Sequence, residues 1–208
     1  MDDVFLIQHP IVQHKLALLR ERTTGHMDFR RLTKELTAFM LYEVMKDYPL
    51  QDVVVETPLA PAKARKLARE ISIVLILRAG LGMLDGLLEL MPNARVGYIG
   101  LYRNEETLEP VEYYSKLPES IAETDVIVVD PMLATGGSAA RAVAIIKESG
   151  AQSIKFVSIV SAPEGIAKLH AEHPDTPIYT AAVDEKLNER GYILPGLGDA
   201  GDRLFGTK

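Results

Sequence analysis

Short hydrophobic runs alternate with amphipathic stretches along most of this chain. The runs are too short for helices, and they predict strands over residues 53–56, 71–77, 96–102, 126–129, 155–161 and 178–183. Apolar residues at helical spacing predict helices over 11–22, from Asp28 to just before Tyr48, over 82–91, over 139–149 and from Pro163 onward. Strands that alternate with helices form right-handed crossovers, so the pattern predicts an α/β fold with a mainly parallel twisted sheet flanked by helices.

Two segments fit this pattern less well. Residues 62–70 have helical propensity, yet their alternation also fits an exposed hairpin strand, and the sequence leaves both structures open. From Asp184 onward the regular pattern gives way to predicted loops. The sequence contains no linker, repeat or low-complexity segment, and we therefore expect one domain over residues 1–208.

Composition narrows the classes of protein. The 208 residues are 47% hydrophobic, which is enough for a sizeable core. The formal net charge of −6, without a basic run, argues against a nucleic-acid or membrane-surface partner. Cysteine is absent, which excludes disulfides and thiolate metal sites. The sequence starts with acidic residues, and no apolar run approaches the ~18 residues of a membrane span, so we expect a soluble cytoplasmic protein.

The segment 125–138 places a carboxylate at the end of a buried strand. Residues 126–129 form a β-branched run that is typical of a central strand in a parallel sheet. Asp130 follows at the carboxyl end of that strand, where open α/β sheets bind ligands. The sequence therefore predicts that Asp130 faces a ligand.

A glycine pair follows Asp130 and leads into the predicted helix 139–149. Gly136 and Gly137 allow the backbone to curl, so that successive N–H groups can point at one anion. The positive end of the helix dipole adds to this attraction, and Thr135 and Ser138 supply hydroxyl donors. The alternative is an ordinary tight turn between a strand and a helix. The combination with Asp130 favours a phosphate-binding turn.

Two arginines follow other predicted strands. Arg78 comes directly after the strand 71–77, and an arginine suits a diphosphate because it pairs with phosphate through two donors. The alternative for Arg78 is a solvent-facing side chain in an ordinary turn. Arg103 stands among acids in a polar segment, 101–110, which is either plain surface or a lid that excludes water from a reaction.

The C-terminal segment 191–203 is rich in glycine and also contains large apolar residues. Gly196, Gly198 and Gly201 match the spacing Gly-x-Gly-x-x-Gly of dinucleotide-binding turns. We reject that function because no strand immediately precedes the glycines and only seven residues follow Gly201. The segment instead indicates exposed backbone next to a small or flat ligand.

Together these segments resemble the uracil phosphoribosyltransferases, a family of type I phosphoribosyltransferases. The resemblance covers nearly the whole chain and rests on residues 76–83, 102–108, 130–138, 162–165 and 191–203. It implies the type I phosphoribosyltransferase fold with a small C-terminal, base-binding part. One difference concerns Pro131. Many type I phosphoribosyltransferases carry a second acid at this position, whereas this chain has Asp130 as the single carboxylate there.

The resemblance also implies roles for individual residues. It implies contacts with phosphoribosyl diphosphate (PRPP) for Arg78, Arg103, Asp130, Pro131, Met132, Leu133, Ala134, Thr135, Gly136, Gly137, Ser138 and Asp199. It implies contacts with uracil for Ile193, Gly198, Asp199 and Ala200. The catalytic residues would then be Arg78, Arg103, Asp130 and Asp199, with Asp199 as the candidate general base.

The implied reaction converts uracil and PRPP into UMP and diphosphate in pyrimidine salvage. It implies Mg²⁺ held mainly by PRPP and water rather than by a metal site of the protein. Some family members respond to GTP, and members form dimers or larger assemblies. Backbone N–H and C=O groups of the glycine-rich segment can match the carbonyl oxygens and ring N–H of uracil.

Two alternatives to this enzyme remain at the level of the sequence. One is a regulatory protein that keeps the fold but binds RNA, which a salt-dependent RNA-binding assay would detect. The other is an enzyme for a different base, such as hypoxanthine. A panel of bases with PRPP and Mg²⁺ separates this enzyme from one specific for uracil.

Overall fold

The computed structural model describes residues 3–103 and 110–207. Its helices are α1 (Pro10–Arg20), α2 (His26–Val44), α3 (Leu81–Leu90), α4 (Gly137–Glu148), α5 (Pro163–Glu172) and α6 (Ala200–Phe205). Its strands are β1 (Val4–Leu6), β2 (Leu50–Glu56), β3 (Pro61–Leu67), β4 (Ile71–Leu77), β5 (Arg95–Arg103), β6 (Pro110–Lys116), β7 (Asp125–Val129), β8 (Met132–Leu133), β9 (Ser153–Ser161), β10 (Ile178–Val183), β11 (Lys186–Leu187) and β12 (Ile193–Leu194). In these two ranges we find no helix whose length and hydropathy suit it to cross a membrane.

The main sheet has the strand order β1-β10-β9-β7-β4-β5-β6, with β8 added beside β9. Its pairings are parallel except for β5 with β6, which are antiparallel. Every residue of the central strand β7 is buried, as the sequence predicts for a strand covered on both faces. The mainly parallel α/β sheet is therefore confirmed.

Helices pack on both faces of this sheet. Ile73 and Leu75 of β4 lie in one hydrophobic cluster with residues of α1, α2, α3 and α6. Val74 and Ile76 point to the opposite face and join the cluster that contains residues of α4 and α5. Since successive residues of a strand face opposite sides, one short run supplies both halves of the core.

The strands β2 and β3 form a separate antiparallel hairpin, in register from Leu50 opposite Leu67 to Glu56 opposite Pro61. This pairing decides the ambiguity of residues 62–70 in favour of the hairpin strand. The helical propensity of the segment is overridden because each residue of β3 pairs with β2. Lys63, Arg65 and Lys66 are exposed on this hairpin.

Several sequence-based expectations were wrong at the edges and termini. The edge strands β1 and β6 were not predicted, and the region after Asp184, expected to be loops, contains β11, β12 and α6. The strands β1, β11 and β12 and the helix α6 have two to six residues, which is too short to show a clear period. The strand β6 has seven residues, but it is largely exposed and contains no hydrophobic run. Gly25, not Asp28, is the N-cap of α2, and Asp28 lies in the first turn with its carboxylate 2.9 Å from Arg31 Nη2.

Candidate active site

A cleft of about 220 Å³ opens where β4 and β7 end and the C-terminal segment covers them. It is lined by Ala79, Asp130, Met132, Ala134, Gly191, Tyr192, Ile193, Gly198, Asp199, Ala200 and Gly201. The cleft is smaller than the ~300–1,000 Å³ of pockets for drug-sized ligands, and this size suits a single-ring ligand.

Asp130 follows the last residue of β7 and is half-buried. Its Oδ1 accepts a hydrogen bond from the backbone N–H of Met132 at 3.1 Å. The pKa of Asp130 is raised to about 7, mainly by burial and to a smaller extent by the charge of Asp199, while the hydrogen bond from Met132 N–H acts to lower it. The Asp130 carboxyl group therefore changes its charge near neutral pH, as is common for groups at functional sites.

Asp199 is the N-cap of α6, and its Oδ1 accepts a hydrogen bond from Asp202 N at 2.9 Å. A side chain that caps a helix is held in one direction. A Cβ on Gly201 would lie 3.3 Å from Asp199 Oδ1 and 3.7 Å from Arg78 Nη2. Gly201 thus has the carboxylate and the guanidinium as close neighbours, although Arg78 and Asp199 are far apart in the sequence.

Arg78 lies directly after β4, with its side chain 58% exposed. Its Nη2 is 3.7 Å from Asp202 Oδ1, and its guanidinium carbon lies 5.9 Å from the centre of the Phe205 ring. Both contacts come from α6, so this short helix positions the arginine. Because the ion pair is long and the arginine side chain is largely exposed, the guanidinium can still approach an anion.

Gly80 lies in the turn after β4, where the backbone packs closely against β4 and β7. A Cβ at this position would lie 2.6 Å from Ile76 O and 2.9 Å from Val129 O. Both atoms belong to the backbone and cannot give way cheaply. The backbone at Gly80 therefore approaches β4 and β7 closely, and this packing holds the start of α3 near the cleft.

The predicted phosphate-binding turn lies at the start of α4. Gly136 is the N-cap with φ of +81°, and a Cβ there would lie 2.7 Å from Gly165 O. A Cβ on Gly137 would meet only Pro110, at 3.6 Å, among the described residues. The first N–H groups of a helix have no partner within that helix. The turn therefore has the glycine geometry and the helix end that an anion requires.

Not every residue that the resemblance assigns to PRPP lines the cleft. Met132 and Ala134 do, whereas Pro131 and Leu133 are buried. The carbonyl of Pro131 accepts a hydrogen bond from Val160 N at 3.0 Å, and that of Leu133 accepts one from Ala162 N at 2.8 Å. These two residues shape the loop by pairing it with the end of β9.

Residues 135–138 are not among the described residues that line the cleft. Thr135 to Ser138 continue from Ala134 into the first turn of α4. The backbone of Arg103 ends β5, but its side chain and residues 104–109, the expected lid, lie outside the described part of the chain. The lid therefore stays a prediction.

The predicted uracil-binding residues lie together. Ile193 is buried in β12, while Gly198 and Asp199 are exposed to the cleft, and Ala200 begins α6. Gly198 has a φ of +81°, a left-handed conformation that favours glycine. The four residues offer mainly backbone groups to a ligand, with Asp199 as the polar side chain among them.

Other residues of this region had no individual role in the sequence analysis. Ala79, Gly191, Tyr192 and Gly201 also line the cleft, and the last three lie in the segment 191–203 that the sequence places next to a ligand. Asp202 and Phe205, which contact Arg78, were not assigned that contact. The spacing of Asp199 and Asp202 is a weak signal of a capped helix start, but it appears in a segment without helical periodicity.

Comparisons with known proteins identify the family. The family model described as Uracil phosphoribosyltransferase matches residues 6–207. A uracil phosphoribosyltransferase from Dictyoglomus thermophilum is 60% identical over 206 residues, which are 99% of this chain and 100% of that protein. The solved structure of the AQ2163 protein from Aquifex aeolicus has a TM-score of 0.94 and 41% identity, with 99% of both chains covered.

A more distant structure bears on the fold alone. A hypoxanthine-guanine phosphoribosyltransferase from Bacillus anthracis has a TM-score of 0.53 and 14% identity over 76% of this chain and 80% of that chain. The fold is thus that of the phosphoribosyltransferases, as the resemblance implied. With a family model that spans nearly all residues and a relative at 60% identity, the chain belongs to the uracil phosphoribosyltransferase family.

Proposed function

We propose that the cleft is the active site of this enzyme, with uracil on the C-terminal segment and PRPP between Arg78, Asp130 and the start of α4. The reaction transfers the 5-phosphoribosyl group of PRPP to uracil and gives UMP and diphosphate. The observation that carries the site is that Asp130, Asp199 and Gly201 line one cleft sized for a single ring, while Asp199 and Arg78 both lie beside Gly201.

PRPP extends from the cleft to α4 in this proposal. The 5-phosphate binds the N–H groups of residues 135–138, where the positive helix end favours it. Asp130 accepts hydrogen bonds from the ribose hydroxyls. Arg78 pairs with the diphosphate, and Arg103 joins it from the end of β5. The exposure of Arg78 supports this assignment, since an arginine already committed to a tight ion pair would have to exchange partners.

Uracil binds to backbone groups of Ile193, Gly198 and Ala200. Support comes from the apolar or absent side chains of these residues, which leave N–H and C=O groups as the polar atoms that a base can meet. The carboxylate of Asp199 lies at the same cleft and is placed to interact with the ring N–H or with PRPP.

The chemistry then depends on charge and position. The bond between the anomeric carbon and diphosphate breaks with its electron pair on the diphosphate, whose charge Arg78 and Arg103 stabilise. A uracil nitrogen forms the new bond to that carbon and loses its proton, for which Asp199 is the candidate acceptor. The protein holds both reactants in line, so orientation supplies much of the rate.

The donor set of the cleft fits Mg²⁺ bound chiefly through the substrate. Asp130 and Asp199 offer carboxylate oxygens, the hard ligands that Mg²⁺ prefers. Two such side chains leave most of an octahedral shell to PRPP oxygens and water. When bound, the ion would add positive charge at the diphosphate.

We also expect a homodimer or a larger assembly, and a response to GTP as in some family members. The hairpin β2–β3 supports an assembly because Leu59 at its tip is 97% exposed and Val54 is 68% exposed. Sedimentation velocity over a range of concentrations measures the assembly. Initial rates with and without GTP measure the response.

The test of the function is a panel of bases. Purified protein with PRPP and Mg²⁺ should release diphosphate with uracil and not with cytosine or hypoxanthine. Diphosphate release with hypoxanthine and not with uracil would overturn the assigned base. An absence of release with every base, together with salt-dependent RNA binding, would favour the regulatory alternative.

A further inference from the structure

An ion pair between Arg20 and Asp184 holds the middle of the C-terminal segment from outside the cleft. Arg20 is the last residue of α1, and Asp184 directly follows β10. Arg20 Nη2 lies 2.6 Å from Asp184 Oδ1, and Nη1 lies 2.8 Å from Oδ2, so the pair is bidentate. The Asp184 side chain is only 7% exposed.

The same two side chains bind both polar backbone groups of Gly196. Gly196 N donates to Asp184 Oδ2 at 2.8 Å, and Arg20 Nη1 donates to Gly196 O at 2.7 Å. A lysine or an asparagine cannot make this arrangement, because it requires two parallel donors on one side and two acceptor oxygens on the other.

Gly196 in turn fixes the backbone that lines the cleft. Its φ is +62°, and a Cβ there would lie 2.2 Å from Ile193 O, so residues 193–196 form a tight turn. Ile193 lies on one side of this turn, and Gly198 and Asp199 follow on the other. Movement of Gly196 would therefore displace the groups proposed to read uracil.

We infer that Arg20 and Asp184 are positioning residues for the uracil site, acting through Gly196 and touching neither substrate. This inference rests on the proposed uracil site. The ion pair acts mainly on the uracil site, since none of these contacts involves Asp130, Arg78 or the turn 135–138. Asp199, which is proposed to contact both substrates, is also held by its own hydrogen bond from Asp202 N. Loss of the ion pair between Arg20 and Asp184 should therefore weaken the binding of uracil and leave the binding of PRPP nearly unchanged.

The experiment compares Arg20→Lys and Asp184→Asn with the wild type by steady-state kinetics for each substrate. We expect the KM for uracil to rise at least tenfold in both variants, while the KM for PRPP stays within about twofold. Hydrogen exchange of the peptide that contains residues 191–199 should accelerate in the variants without substrate. Arg95→Lys is the control, because Arg95 also donates two hydrogen bonds to a carboxylate, both to Glu70 Oε2, far from the cleft.

Each outcome decides the question. Folded variants with an unchanged KM for uracil, or with equal losses for both substrates, would overturn the positioning role. Unfolding of both variants would also overturn it, since the pair would then serve the fold. A wild type that does not use uracil at all would instead contradict the proposed function, and the base panel detects that separately.

Discussion

Asp130 and Asp199 reach the same cleft from different parts of the chain, and the charge of Asp199 adds to the effect of burial in raising the pKa of Asp130. Asp130 comes from the central strand and Asp199 from the N-cap of α6. Their proximity gives the site a carboxyl group that titrates at about pH 7. It also couples the stability of the protein to pH.

Replacing Asp130 by Asn should stabilise the protein at high pH. The pKa of Asp130 rises from 3.8 to about 7 on folding, so the folded state holds this proton more tightly than the unfolded state does. The wild type should therefore lose stability as the pH rises from about 4 to 7, and Asp130→Asn should not. Urea unfolding at pH 4 and pH 8 should show a relative gain for the variant of up to roughly 4 kcal/mol. If the free energy of unfolding differs by the same amount between variant and wild type at both pH values, the predicted dependence on pH is wrong.

A substitution in the turn at the start of α4 should weaken PRPP binding without destabilising the fold. Gly137→Val adds a side chain that meets only Pro110 among the described residues, so the melting temperature should change by no more than a few degrees. The valine would obstruct a phosphate at the first N–H groups of the helix, and PRPP affinity should fall at least tenfold. Calorimetric titration with PRPP measures this.

Gly25→Val is the matched control for Gly137→Val. Gly25 is the N-cap of α2, and a Cβ there meets nothing within 4 Å. This variant should bind PRPP like the wild type. If Gly137→Val also retains wild-type affinity, the 5-phosphate does not bind at this turn.

Gly80→Ala should destabilise the protein directly. The added Cβ would meet Ile76 O at 2.6 Å and Val129 O at 2.9 Å, and relief of that overlap requires β4 or β7 to shift. We expect a loss of about 1–3 kcal/mol in the free energy of unfolding, measured with denaturant. Gly25→Ala serves as the control, and equal stability of the two variants would argue against the close packing.

Backbone recognition of uracil predicts strong rejection of cytosine. A backbone N–H aimed at the 4-oxygen of uracil would face an amino group in cytosine, and both donors would stay unpaired. Sites of this kind reject a mismatched analogue by about 10⁴-fold, so kcat/KM for cytosine should be lower by that order. Comparable use of the two bases by the wild type would refute backbone recognition.

Ile193→Val tests whether a side chain shares in that discrimination. Ile193 is 3% exposed, and loss of one methylene should cost about 0.5–1.5 kcal/mol of stability. The ratio of kcat/KM for uracil and cytosine should stay the same, because the backbone is unchanged. A collapsed ratio in folded protein would assign the discrimination to the side chain.

The centre of the fold could be predicted from the sequence because its signals are local. The run of apolar residues before Asp130 identifies a buried strand without knowledge of its neighbours, and the glycine pair identifies the turn that follows. Arg78 was predicted for the same reason, since it directly follows β4. The position of a residue at the end of a strand is enough to place it at the ligand edge of the sheet.

The remaining features depend on contacts between distant segments. Arg20 appears in the sequence as an ordinary charged residue near a helix end, and only the fold brings it to Asp184 and Gly196. The residues of β3 fit both a helix and a hairpin strand, and only the pairing with β2 decides between the two structures. The helix α6 is too short to show periodicity, although it caps itself through Asp199 and holds Arg78.

Because one wall of the cleft comes from the C-terminal segment, the site can form only late in the synthesis of the chain. The strands β4, β7 and β9 precede residue 191 in the chain, whereas the wall from Gly191 to Gly201 follows every strand of the main sheet. A growing chain can therefore complete every strand of its main sheet before it can surround a base. Catalytic competence should arise last, after the ribosome has extended the chain through Asp199 and Gly201 and the sheet is already in place.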